Sequence, residues 1–401
     1  MEITGITGVT VLGNFEWPLI RVDTDEGISG YGEVRDHSRG HVHREAYCAD
    51  DPLSLALDLE EVVVGEDPRN VTGLMETLRP YGGRGRLGGG VSAIEMACFD
   101  VAGKYHDAPA SQLLGGRYRD EVRVYVDCRA GRPVTDSRTS YALDGNDYAP
   151  ADYAAHADQR ERQGFDFLKF DLDPRAAEQV TGDVGVREQR LTAAGLAYLE
   201  DVVSAIRDAV SPATDLGFDC AAMADLPVED AVRFGRVLDD YDVTAYEDAT
   251  RDDDVSGWAE ITAAIDTPTI TGEDRFGVEG FRELVRRDAV DLVGPDLLTA
   301  GGIRETVRIA DHANQHGMPA NLHFAASPVG FMASVHAAAA VPDLLALEFH
   351  AVGTPWWADL VETPDTLIQD GVAAVPDAPG LGVDLDEAVV REHAKGDGRF
   401  A

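Results

Sequence analysis

From Val122 onward the chain keeps a rhythm that few folds can satisfy. Short apolar runs alternate with amphipathic helical stretches: VRVYVD (122–127), FLKFD (167–171), DLGFD (215–219), VTAYE (243–247), PTITGE (268–273), VDLVGPD (290–296), MPANLH (318–323) and LLALEFH (344–350). Apolar runs this short, bounded by turn residues and separated by helices such as VEDAVRFGRVLDDY and IRETVRIADHANQHG, predict strands buried on both faces of a parallel sheet. Eight of them predict a closed (β/α) barrel.

Before Val122 the pattern differs. Leu19 to Asp23 and Ile28 to Glu33 flank the turn Thr24-Asp25-Glu26-Gly27, a hairpin signal. Helical patterns follow at about 52–63, 70–78 and 91–105. GGRGRLGGG (82–90) lacks the Gly-Lys-Ser/Thr of a phosphate loop and reads as a loop or helix lead-in. The expected organisation is an α+β capping domain at 1–118, a (β/α)7β barrel at 119–370, and a segment at 371–401 that returns to the capping domain. Loops at 129–150 and 172–187 exceed what a connection needs and are candidate substrate loops.

In such a barrel the active site lies at the C-terminal strand ends. Those ends carry Lys169 and Asp171, Asp219, Glu247, Glu273, Asp296, His323 and Glu348. Asp219, Glu247 and Glu273 end three successive strands. Left unneutralised, each pair would repel by about 4 kcal/mol at an effective dielectric of about 20. A hard divalent cation removes that repulsion and favours all-oxygen ligands, so these three are the expected ligands of Mg²⁺, with Mn²⁺ second. Asp296 beside His323 would fix the imidazole tautomer and raise its basicity for proton transfer. Lys169 is one of three lysines, with Lys104 and Lys395. At a strand end facing the metal it suits a substrate carboxylate. His312, His316 and His336 fall in helical stretches and are expected to be structural.

Charge and cysteine usage narrow the partners. A net charge of −39 disfavours nucleic acid and anionic membranes. The acids are dispersed and lysine is scarce, which suits high salt, where self-repulsion is screened. No apolar run reaches the length of a membrane span, and the N-terminus has no secretory pattern. The cysteines Cys48, Cys98, Cys128 and Cys220 are unpaired by spacing, as in a reducing cytoplasm.

The strand-end motifs LKFD (168–171), GFD (217–219), YED (246–248), TGED (271–274), GPDLLTAGGIRET (294–306), NLHFAASPVG (321–330) and ALEFH (346–350) resemble those of the enolase superfamily, in its mandelate racemase branch. NFEWPLIRV (14–22), LLGGRYRDEVRVYVDC (113–128), LKFDLD (168–173), WWADLVE (356–362) and PGLGVDLD (379–386) resemble the archaeal sugar-acid dehydratases of that branch. The resemblance implies a Mg²⁺-dependent lyase that removes the proton α to a carboxylate and eliminates the β-hydroxyl of an aldonate, giving a 2-keto-3-deoxy acid. It implies that Asp219, Glu247 and Glu273 hold the metal, that Lys169 contacts the substrate carboxylate, that His323 with Asp296 is the acid/base dyad, and that Glu348 lies on the enolate side. It further implies a homo-oligomer, a dimer or an octamer. Asn14, Phe15, Glu16 and Trp17 form the expected loop over the substrate, with Asn14, Trp17 and Asp171 as substrate contacts. His37 follows the strand ending in Glu33 and is not counted in the site.

Two positions depart from the family pattern. The second lysine of Lys-x-Lys is Asp171, and the position where several dehydratases carry a histidine is Ala221. One face therefore lacks both familiar proton carriers. That weakens a racemase or epimerase, which needs a carrier on each face. The same strand-end residues would also serve a cycloisomerase or a catalytically silent metal-binding barrel.

Overall fold

The computed structural model describes residues 1–36, 49–128, 148–364, 366–396, 398 and 400. His37, Cys48 and nearly all of the 129–150 loop lie outside the described residues. Strands β1 (Ile3–Leu12), β2 (Glu16–Thr24) and β3 (Ser29–Glu33) form an antiparallel sheet. The expected hairpin turns at Gly27, whose φ of 77° suits glycine. Helix α1 (Gly89–His106) lies against β3 so closely that a Cβ on Gly30 or Gly32 would come 2.1 or 2.0 Å from the carbonyl oxygen of Ala97 or Ala93. The glycines of Ser-Gly-Tyr-Gly-Glu are therefore a packing requirement.

All eight apolar runs are strands: β4 (Glu121–Asp127), β5 (Phe167–Asp171), β6 (Asp215–Asp219), β7 (Ala245–Glu247), β8 (Thr269–Thr271), β9 (Leu292–Val293), β10 (Ala320–Leu322) and β11 (Leu344–Phe349). Successive strands pair in parallel, and β11 pairs with β4, so the barrel closes. Side chains alternate across each strand. The inward set Tyr125, Phe167, Ala245, Ile270, Leu292 and Ala346 makes an apolar floor. The ionisable strand ends stand above it.

The C-terminal segment touches both parts. Val372–Ala374 pairs antiparallel with the start of β4. Leu381 N donates to Asp100 of α1, and Lys395 N donates to the carbonyl of Thr10 in β1.

Two buried carboxylates seat the capping sheet on the barrel. Glu95 of α1 accepts from the N–H groups of Ile303 (2.7 Å) and Arg304 (2.9 Å), at the start of α2 (Ile303–Asn314). Glu33 of β3 accepts from Ser327 N (3.0 Å), Ser327 Oγ (2.6 Å) and Gly330 N (3.1 Å), at the start of α3 (Pro328–Ala340). Exposed helix N–H groups and the helix dipole favour a carboxylate there. Burial nevertheless pushes Glu33 up to about 7 and Glu95 to about 8. These contacts hold the cap over the barrel face where the strand ends lie.

Candidate active site

The site begins with Lys169. Its neighbour in register is Gly217, where a Cβ would lie 3.3 Å from Phe167 and 3.6 Å from Lys169 Cγ. The glycine of GFD thus spares the Phe167 ring a tight contact beside the lysine stem. The ammonium is buried, 2.7 Å from Glu348 Oε1, 3.2 Å from Glu247 Oε2 and 3.7 Å from Asp219 Oδ2. Burial works against the charge, but Glu247, Glu348 and Asp219 outweigh it and hold Lys169 well above its ordinary range. Glu247 itself is pushed well up by burial, with Lys169 opposing. Its strand ends sharply at Asp248, whose φ of 48° is unusual for a non-glycine and whose carboxylate accepts from Thr271 Oγ1 at 2.7 Å.

His323 stands on the other side. Its Nδ1 is 2.8 Å from Asp296 Oδ2 and its Nε2 is 2.6 Å from Glu273 Oε2 and 3.6 Å from Glu348 Oε2. Asp296 also caps the turn after its strand, accepting from Leu298 N at 2.7 Å. Burial pushes the imidazole down, yet Glu273, Glu348 and Asp296 carry it well above the usual histidine range. Burial pushes Asp296 up, but Arg35 and His323 reverse this and hold it low. Glu348 is treated similarly: burial raises it, while Lys169, His323 and His350 bring it below the ordinary value. It accepts from Tyr125 Oη and Phe324 N, both at 3.1 Å, and so bridges the lysine and histidine sides.

The three carboxylates expected on a metal end adjacent strands, with Asp219 and Glu247 in register. Their side chains are divided between two sets of cations. Asp219 and Glu247 face Lys169, whereas Glu273 faces His323 and, at 3.7 Å, Arg35. Among the described residues no three such side chains converge as a ready-made metal cage. Buried carboxylates pair with the nearest cation, and here those are side chains. The donor set still fits a hard divalent ion: three carboxylates from adjacent strands, all oxygen.

Asp171 lies in register with Asp219, on the same face of its strand as Lys169. Asn14 reaches the barrel rim, its Nδ2 donating to the carbonyl of His350 at 3.1 Å. Trp17 of the capping loop lies inside the core. Its ring is 0% exposed, 5.3 Å from Trp356, in a core that Gly13 leaves room for. Burying so large an apolar surface accounts for its packing there. His336 is also structural: it is buried, pushed down to about 4, and faces Ser111 N at 3.3 Å. Cys98, Cys128 and Cys220 are buried free thiols.

Sequence reasoning missed three residues. Arg35 enters from the capping domain, buried, 3.3 Å from Asp296 Oδ2 and donating to the carbonyl of Ala325 at 3.0 Å. Asp127 and His350 form an ion pair across the closure of the barrel. Asp127 ends the first apolar run as the other acids end theirs, and that signal was available.

Residues 152–389 match the enolase C-terminal domain-like family, and residues 6–115 match the mandelate racemase/muconate lactonizing enzyme N-terminal domain. The chain belongs to the enolase superfamily. Within that superfamily it is 36% identical over 400 residues to a D-xylonate dehydratase of Haloferax volcanii, covering 98% of this chain and 89% of that protein. It is 26% identical to a D-galactonate dehydratase of Ralstonia nicotianae, covering 94% and 91%. A mandelate racemase/muconate lactonizing enzyme-like protein of Rubrobacter xylanophilus superposes with a TM-score of 0.88 at 30% identity, covering 100% of this chain and 99% of that one. The barrel and capping domain described above are those of an enolase superfamily member.

Proposed function

We propose that the chain is a Mg²⁺-dependent aldonate dehydratase, a hydro-lyase acting on a pentonate or hexonate, with D-xylonate the first substrate to test. The observation that carries this reading is the buried His323–Asp296 dyad facing Lys169 across Glu348, in a chain 36% identical to a D-xylonate dehydratase.

Asp219, Glu247 and Glu273 would hold the metal after turning from Lys169 and His323. A divalent cation bound there supplies charge that draws electrons from the substrate carboxylate and acidifies the α-carbon. Lys169, released from two acids, anchors the same carboxylate. His323, raised in basicity by Asp296, takes the α-proton at Nε2. Glu348, held as the anion, orients Lys169 and His323 from between them. The β-hydroxyl then departs and the enol becomes the 2-keto-3-deoxy acid. Asn14 of the cap and Asp171 would contact the hydroxyl chain. A dehydratase fits better than a racemase, because Ala221 and Asp171 stand where a second base on that face would be.

Domain limits at 118 and 370, cytoplasmic residence, a homo-oligomeric dimer or octamer and operation in high salt belong to the same proposal. The dispersed acidity supports the last of these. In the described residues no helix is long and apolar enough to cross a membrane. The test is incubation with MgCl₂ in molar KCl and D₂O against a panel of aldonates, reading keto-acid formation and deuterium at the α-carbon. Product from an aldonate supports the reading. Neither product nor exchange from any of them overturns it.

A further inference from the structure

The capping domain reaches the His323–Asp296 dyad through one side chain. Arg35 follows β3 by two residues and is 4% exposed. Each nitrogen of its guanidinium faces a protein acceptor. Nη1 is 3.3 Å from Asp296 Oδ2 and donates to the carbonyl of Ala325 at 3.0 Å, Nη2 is 3.7 Å from Glu273 Oε2, and Nε is 3.6 Å from Asp36 Oδ1. A planar fork spent on protein groups in this way suits holding a carboxylate in place better than receiving one from a substrate. Asp36 is held in turn from the glycine-rich run at 82–90. Arg86 of that run, 3% exposed, lies 2.7 Å from Asp36 Oδ1, donates to the Asp36 carbonyl at 3.2 Å, and has Nε 3.5 Å from Asp274 Oδ1. The glycines let the run lie flat on the barrel. Gly85 N donates to the Asp274 carbonyl at 2.9 Å with a φ of 62°, and a Cβ on Gly82 or Gly88 would come 2.1 or 2.4 Å from the Phe276 ring. The run thereby sets a second buried arginine behind the first.

We propose that Arg35 is a positioning residue that fixes the Asp296 carboxylate against His323, so that the capping domain sets the alignment of the base. This rests on the reading of His323 as the group that takes the α-proton. Asp296 Oδ1 accepts from Leu298 N at 2.7 Å, which ties one oxygen to the barrel. Oδ2 meets His323 Nδ1 at 2.8 Å, and Arg35 meets that same oxygen from the cap. Rotation of the carboxylate is blocked from both sides, so the imidazole keeps Nδ1 toward Asp296 and Nε2 toward the site. The partner on one ring nitrogen decides which nitrogen does the work. A catalytic group displaced by about 1 Å loses about 100-fold in rate.

Arg35 acts through Asp296 and not on the substrate. Arg86 and Asp36 support it from behind, which gives the glycine-rich run a place in the chemistry without a phosphate to bind. Seating of the cap does not depend on this contact alone, because Glu95 and Glu33 anchor the cap at two other helix starts. The effect of Arg35 on the dyad is therefore separable from general loosening of the cap.

The experiment follows α-deuterium exchange of an aldonate in D₂O with MgCl₂ and molar KCl. Arg35→Met keeps the stem and removes the fork. Its kcat for exchange is expected to fall about 10–100-fold, the scale of losing a partner that orients a catalytic group. Its KM, and its Kd for Mg²⁺ by calorimetry, should stay within a few-fold of wild type. Added to Asp296→Asn, Arg35→Met should cost less than about three-fold more, because residues that act as one unit are not additive. Glu95→Gln, at a separate seat of the cap, should exchange within a few-fold of wild type. Where Arg35→Met does not fold, Arg35→Lys, a point charge without the fork, carries the same comparisons. Exchange within a few-fold of wild type overturns the role, as does full additivity with Asp296→Asn. A loss confined to Mg²⁺ affinity overturns it in favour of Glu273. An equal loss in Glu95→Gln, or loss of the fold in both Arg35 variants, overturns it in favour of a structural arginine. Wild-type exchange without keto acid overturns the dehydratase reading and leaves this role standing on exchange. A wild type with neither exchange nor product removes the base, and this role with it.

Discussion

Replacing Lys169 by methionine removes the cation shared by three buried acids and keeps the length of the stem. At 2.7, 3.2 and 3.7 Å from Glu348, Glu247 and Asp219, each attraction is about 4–6 kcal/mol gross at an effective dielectric of about 20. Most of that offsets the desolvation of the four groups, and removing one partner of a buried set costs about 3–5 kcal/mol net. Unfolding entropy of about 2.1 cal/mol/K per residue over 401 residues is about 0.8 kcal/mol/K, so the metal-free variant should melt about 4–6 °C lower. MgCl₂ should then act in the opposite sense. In wild type a cation must displace Lys169 from Asp219 and Glu247, whereas in Lys169→Met that competitor is gone and only the pairing of Glu273 with His323 and Arg35 is left to break among the contacts described. Binding at a hundred times Kd stabilises by about 2.7 kcal/mol, or about 3 °C on the same scale. Scanning calorimetry in molar KCl, with and without saturating MgCl₂, reads both effects. A variant as stable as wild type without MgCl₂ would refute the electrostatic account of Lys169. A magnesium shift no larger than that of wild type would refute the idea that these carboxylates form one cation site.

Four further outcomes follow from other parts of the molecule. His323→Asn should lose at least about 100-fold in both α-deuterium exchange and keto-acid formation, while the magnesium-induced rise in melting temperature persists; retained exchange would move the base elsewhere. The raised carboxyls of Glu95 (about 8) and Glu33 (about 7) keep more protons on the fold than on the unfolded chain. Stability should therefore fall as pH rises from about 4.5 through those values, by at most about 1.4 kcal/mol per pH step and group; Glu95→Gln should flatten this fall, and an unchanged slope in pH-resolved melts would count against it. Gly32→Ala puts a methyl 2.0 Å from the Ala93 carbonyl oxygen and should destabilise by about 1–3 kcal/mol or more in urea melts, whereas a neutral result would mean that α1 shifts freely. With a net charge of −39, the melting temperature should rise from dilute buffer to molar KCl through screening, and a flat response would discount self-repulsion.

The barrel was readable because each of its strands is buried on both faces. Such strands become continuous apolar runs, and the chemistry collects where they emerge, as Asp219, Glu247 and His323 do. Periodicity is local, and so it survives in one dimension. The identity of the strand-end residues also limited the chemistry: all-oxygen ligands beside a lysine and a histidine–aspartate pair suit carboxylate substrates and proton transfer. The side-chain partnerships were not local. Glu273 pairs with His323 and Arg35 rather than with Asp219 and Glu247, a choice set by which buried cation lies nearest. Glu33 and Glu95 look like ordinary acids in a chain rich in them, and only docking of the cap turns them into helix caps. Trp17 has both aromatic and polar neighbours in the chain, and only the fold shows it buried against Trp356.

The sequence by itself therefore determined the number and order of the barrel strands and the residue types at their mouth, because burial and alternation act over a few residues. Tertiary structure alone decided which charges meet. Barrel closure joins Asp127 to His350 across more than half the chain, and cap docking brings Arg35 to Asp296. Electrostatic partnership depends on distance in space, which no spacing along the chain encodes.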